Sequence, residues 1–136
     1  MVDYTITALG DDVNIHLTTY QGAVVATYEE IRSLFIFNVG MDKDPEYSFE
    51  DARIRASRGY QNVHNEFRVE MSVTGDDVEP EYWKHKLVAT IYDWKPKKSD
   101  DAMKGYYHWR VGGHESCVEG YINDMVKRQR KVLTNG

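Results

Sequence analysis

One stretch near the end of the chain constrains everything before it. Val118, Tyr121, Ile122, Met125, Val126, Val132 and Leu133 recur at i, i+3, i+4, i+7, i+8, i+14 and i+15, which is one apolar face of an α-helix. Ser116 and Glu119 just before it have the S-x-x-E spacing of a capping box, which predicts where the helix begins. Glu115, Glu119 and Asp124 stand toward the start and Lys127, Arg128, Arg130 and Lys131 toward the end, the order a helix dipole favours. A helix with a single apolar stripe must bury it against another element. Its 118/122/125/129/133 side is therefore expected to lie across a sheet.

The upstream pattern supplies that sheet. Residues 3–9 alternate in polarity, Gly10-Asp11-Asp12 interrupts them, and residues 13–20 alternate again, which predicts an N-terminal β-hairpin. Thr27 and Glu30 repeat the capping-box spacing and predict a short helix over Tyr28 to Phe35, while Ile36 to Val39 fits either helix or buried strand. Ser48 and Asp51 predict a second short helix over Phe49 to Ser57, ended by Gly59. Three strands follow, at 66–74, 82–94 and 105–111, the first with Phe67, Val69, Met71 and Val73 on one face. Strands segregated from helices make the expected fold α+β. It is an antiparallel sheet, N-terminal hairpin plus three later strands, with one or two short helices and the C-terminal helix packed on it. One domain over 1–136 accommodates all of it.

A hydrophobic content of 41% is enough to bury a core, so wholesale disorder is not expected. A single cysteine cannot close an internal disulfide, which fits a reducing compartment and a cytoplasmic protein. The first residues show no secretory leader pattern, and the longest apolar run, Leu34-Phe35-Ile36-Phe37, is too short to span a bilayer, so no membrane partner is expected. The net charge of −5 conceals an asymmetry: residues 1–83 hold 6 Lys/Arg against 16 Asp/Glu, and residues 84–136 hold 11 against 6. A surface so divided can steer a charged partner or a second copy of the chain.

Cys117 falls at the predicted helix start, three residues after His114 and near His108, a placement that would favour a thiolate nucleophile. The same residues, with His16, His64 or His85, offer metal-ligand chemistry, but only His114 and Cys117 have close ligand spacing; neither a metal nor a cofactor is expected. His16-Leu17-Thr18 and His114-Glu115-Ser116 resemble the paired H-x-T/S of the two-histidine phosphoesterases. The resemblance covers six residues and implies a general acid and base acting on a phosphodiester.

A nucleic-acid reading rests on Lys127, Arg128, Arg130 and Lys131 at the helix end and on Lys95, Lys97, Lys98 and Lys104 in a basic loop, with aromatic residues between them. Residues 64–75 and the helix–three strands–helix order over 48–133 resemble a double-stranded-RNA-binding domain. That family's lysine cluster at the start of the last helix is replaced here by acidic residues, and the acidic balance opposes phosphate binding. The preferred expectation is a non-enzymatic protein-binding module, an accessory regulator, inhibitor or assembly subunit of the kind phages also carry. Its expected surface is Tyr82, Trp83, Trp94, Tyr106, Tyr107, Trp109 and Arg110, meeting a protein partner or a second copy.

Overall fold

The structure is a computed structural model and describes residues 2–37, 53–55, 63, 65–76, 78, 86–95 and 101–135. Its axis is the eleven-residue strand Asn65–Gly75, here β4, in which Phe67, Val69, Met71 and Val73 are buried on one face and Arg68, Glu70 and Ser72 stand half-buried on the other. This is the period-2 alternation of a strand covered on one side. β1 (Val2–Leu9) pairs along one edge of β4, setting Tyr4 opposite Val73 and Ile6 opposite Met71. On the other edge lies β5 (Leu87–Tyr92), with Ala89 opposite Val69 and Ile91 opposite Phe67. β6 (Tyr107–Gly113) follows β5, and β2 (Thr19–Ala26) closes the far edge. The strand order is β1-β4-β5-β6-β2, every pair is antiparallel, and the sheet is open.

The expected hairpin does not form. β1 and β2 occupy opposite edges of the sheet. Gly10–Asp12 makes a single 3-10 turn, and the alternating run 13–18 folds into turns, with Leu17 at φ 63°, instead of a strand. β4 offers Val2, Tyr4 and Ile6 a longer apolar partner than residues 13–20 can. The helix expected over 49–57 is also corrected where the structure describes it. Arg53–Arg55 is a short strand, β3, that pairs with Asn65–Phe67 beyond the end of β1.

Both helices cover the face carrying Phe67 and Val69. α1 runs Tyr28–Phe37, so Ile36 and Phe37 continue the helix. Its capping box is made as the spacing demands: Glu30 N donates to Thr27 Oγ1 at 3.1 Å, and Thr27 N donates to Glu30 Oε1 at 2.9 Å. Thr27→Ala should therefore cost about 1 kcal/mol, with Thr27→Ser close to wild type, as measured by urea melts. α2 runs Cys117–Asn135 and buries Val118, Ile122, Met125, Val126 and Gln129 against α1 and the β5-β6-β2 side of the sheet.

The second capping box is not made. Glu119 accepts a bond from Asn123 Nδ2 at 2.9 Å, and its side chain lies over Gly22. Gly22 has φ 152°, and a Cβ there would stand 3.0 Å from Glu119 Cδ, so the site excludes a side chain on both counts. Among the described residues no helix is long and apolar enough to cross a membrane.

Candidate functional site

Among the described residues, the two helices pack on one face of the sheet and leave the other, here the open face, without a helix. Register places Glu66, Arg68 and Glu70 of β4, Thr90 and Tyr92 of β5, His108, Arg110 and Gly112 of β6, and Tyr20, Ala23 and Val25 of β2 on it. The nine residues 10–18 carry the chain from the β1 edge to the β2 edge. Ile15 and Thr18 of this crossing segment, with Val63, stand against the open face and enclose a cleft of about 160 Å³. Its sheet wall is Glu66, Thr90, Tyr92 and Gly112, and its rim is Tyr20 and Trp94. Gly112 creates the space, since a Cβ there would come within 2.5 Å of Thr90 Oγ1.

The rim is held from below. Asp93, fully buried, accepts bonds from Asn65 N at 2.8 Å and Asn65 Nδ2 at 2.9 Å, and its own N–H donates to Asn65 O at 3.1 Å. Tyr107 donates its hydroxyl to the Trp94 carbonyl at 3.1 Å. Burial, helped by Asp93, raises the Tyr107 pKa, so the phenol stays a donor. These bonds fix Trp94 edge-on to Tyr92, with ring centroids 6.4 Å apart. Arg110 then sits with its guanidinium carbon 5.0 Å from the Tyr20 ring centroid and 4.8 Å from that of Trp94. Lys95 Nζ lies 5.6 Å from the same Trp94 ring. Within the cleft, Glu66 is neutralised by Arg68 Nε at 2.8 Å.

Trp94 and Arg110 thus come together with Tyr20, Tyr92 and Thr90, which the sequence did not single out. Their signal was period-2 phase: if Ile91 and Trp109 face the core, Tyr92 and Arg110 face away. Tyr106 is exposed at the lead-in to β6 with Arg130 5.6 Å over its ring, and Tyr107 is half-buried. Trp109 leaves the surface altogether: it is 0% exposed and belongs to the core. Tyr82, Trp83, Lys97 and Lys98 lie outside the described residues.

The basic helix end is partly spoken for. Arg130 pairs with Glu30 through Nε and, at 3.1 Å, through Nη2, and Nη2 also donates to Val25 O at 2.6 Å. Arg128 pairs with Asp124 at 3.1 Å, donates to Val2 O, and lies 5.2 Å over the Tyr4 ring. Lys104 stands 4.0 Å from Asp101, whereas Lys127 and Lys131 are exposed.

The two H-x-T/S stretches do meet, but as exposed turns: a His114 ring nitrogen lies 2.7 Å from the His16 backbone carbonyl. Cys117 lies at the rim of a second, open groove of about 500 Å³ between β1 and α2. Burial and the neighbouring Glu115 carboxylate, 3.8 Å from Sγ, push its thiol pKa up, away from the thiolate a nucleophile needs. Deeper in that groove Tyr4 donates to Asp124 at 2.5 Å, and burial with that bond raises its pKa. Among the described residues no three His, Cys, Asp or Glu side chains converge to hold a metal ion. Compared with family models, curated proteins and solved structures, the chain matches none.

Proposed function

We propose that this chain is a non-enzymatic protein-binding module, a small cytoplasmic regulator, inhibitor or assembly subunit, whose contact surface is the β2 side of its sheet. One observation carries the reading. The exposed large hydrophobic residues among those described are Leu17, Tyr20, Val25, Met103 and Tyr106. All stand on β2, on the segment entering it, or on the segment entering its neighbour β6. Tyr20 and Val25 alone are separated by about 17 Å of strand, the reach of a side-chain-mediated protein contact. Tyrosine beside arginine is the composition such contacts favour.

The mode of contact follows from the edge. Two carbonyls of β2 are already occupied: Asn123 Nδ2 donates to Ala23 O at 3.0 Å, and Arg130 Nη2 donates to Val25 O. Strand addition is blocked there, so a partner meets side chains and not backbone. A photo-crosslinking residue placed at Val25 should give one discrete adduct in the source cell, and the same residue at Lys127 should not. Tyr106→Ala should reduce that adduct about tenfold, the scale of a truncated interface tyrosine. An adduct of twice the chain mass identifies a second copy. Adducts from Lys127 alone, or none from Val25, defeat the reading.

A further inference from the structure

Arg110 is placed unlike Arg68, Arg128 and Arg130. Arg68 pairs with Glu66, Arg128 with Asp124 and Arg130 with Glu30. Among the described residues Arg110 has no carboxylate and no hydrogen-bond acceptor, only the Tyr20 and Trp94 rings. It is half-buried and projects from the middle of a strand paired on both sides. Aromatic rings accept no conventional hydrogen bond in the guanidinium plane, so the forked N–H donors of Arg110 remain for a planar acceptor. Two rings holding it reduce the freedom lost when that acceptor arrives.

The cleft beside it fixes what the acceptor is attached to. About 160 Å³ is too small for an extended ligand. It is close to the volume of about 150 Å³ that accommodates one benzene ring. Ile15, Val63, Tyr92 and Trp94 supply apolar wall. Arg110 contacts the two rings that form the rim, so the apolar group and the anion sit within one residue of each other.

We infer that this site captures the C-terminal residue of a partner chain, with its apolar side chain in the cleft and its free carboxylate on Arg110. The terminal residue is the one place in a polypeptide where an apolar side chain and a carboxylate share a Cα. An internal acidic neighbour would point to the opposite side of an extended segment. Glu66 does not oppose the anion, because Arg68 neutralises it. A polyanion fits less well, since Glu70 shares the open face and the chain carries −5 overall. The inference rests on the protein-binding reading above and names the partner's chemistry.

The test uses a fluorescein-labelled Gly-Ser-Gly-Phe peptide with a free C-terminal carboxylate, its C-terminal amide, and a single-stranded oligonucleotide, followed by polarisation. On the wild-type protein the acid should bind about 10- to 100-fold more tightly than the amide, the worth of a charge-assisted bidentate pair. Arg110→Gln should bring the acid down to the amide's affinity, with an unchanged melting temperature, and Arg110→Lys should retain part of the difference. Equal binding of acid and amide by the wild type overturns the inference without any variant. So does failure of both peptides to bind while the Val25 crosslink persists, an outcome that leaves the broader reading standing. Arg110-dependent oligonucleotide binding tighter than the acid peptide overturns it in favour of phosphate.

Discussion

Trp109→Ala should destabilise the protein by about 3–5 kcal/mol, the range for removing a large aromatic side chain from a packed core. Trp109 is 0% exposed and forms the centre of an aromatic run. Its ring meets Phe67 edge-on at 5.9 Å and Tyr107 at 5.6 Å, and Phe67 continues to Tyr28 at 6.3 Å. The run ties β6 across the sheet to β4 and up to α1. The indole Nε1 also donates to Ala26 O at 3.0 Å, where β2 hands over to α1. Alanine therefore leaves a void and an unpaired carbonyl together. Trp109→Phe restores most of the apolar volume but not the donor, and should recover all but about 1–2 kcal/mol. Urea melts of the two variants separate the terms; equal losses would assign the role to the hydrogen bond alone.

What the sequence disclosed depended on the range over which each signal acts. The α2 stripe and the β4 alternation are local periodicities, and both became elements; Val118, Ile122, Met125 and Val126 of the stripe are buried, while the side chains of Val132 and Leu133 lie outside the described ones. The order of strands is not local. Val2 pairs with Gly75 and Thr19 with Gly113, and no turn residue near 10–12 announces either. The two capping boxes show the same limit at smaller scale. Thr27 and Glu30 have the same spacing as Ser116 and Glu119, yet only the first pair closes, because Asn123 and the approach of Gly22 draw Glu119 away.

The site was legible in its residue types and not in its assembly. Trp94 and Arg110 were evident as a chemistry worth placing. Tyr20 was hidden because it joins them only when β2 docks beside β6, past an irregularity between Tyr20 and Gly22. The cleft depends further on residues 10–18 crossing the open face, which follows from the strand order.

Arg130→Ala should cost about 2–3 kcal/mol at pH 7, and much of that cost should vanish in acid. Glu30 is 8% exposed; its carboxylate accepts from Thr27 N within the α1 cap and from Arg130, and the Arg130 bond ties the start of α1 to α2. Burial alone would raise the Glu30 pKa, but the Arg130 and Thr27 bonds outweigh it and hold the carboxyl below its ordinary value. A depressed carboxylate contributes stability above its unfolded pKa, and that contribution is lost as pH falls through the folded pKa. The wild type should therefore weaken below about pH 4, the ordinary glutamate range.

In Arg130→Ala the balance reverses. Burial has no compensating cation, and a charged Glu30 left in place is the main source of the loss. Protonating it removes that penalty, so the gap between wild type and variant should narrow in acid. The arginine side chain is 40% exposed, which screens the pair and keeps its loss less costly than that of a fully buried one. Urea melts of both proteins at pH 7 and pH 3 give the comparison. A difference independent of pH would mean that Arg130 acts through Val25 O and packing on Tyr106, with the ion pair contributing nothing measurable.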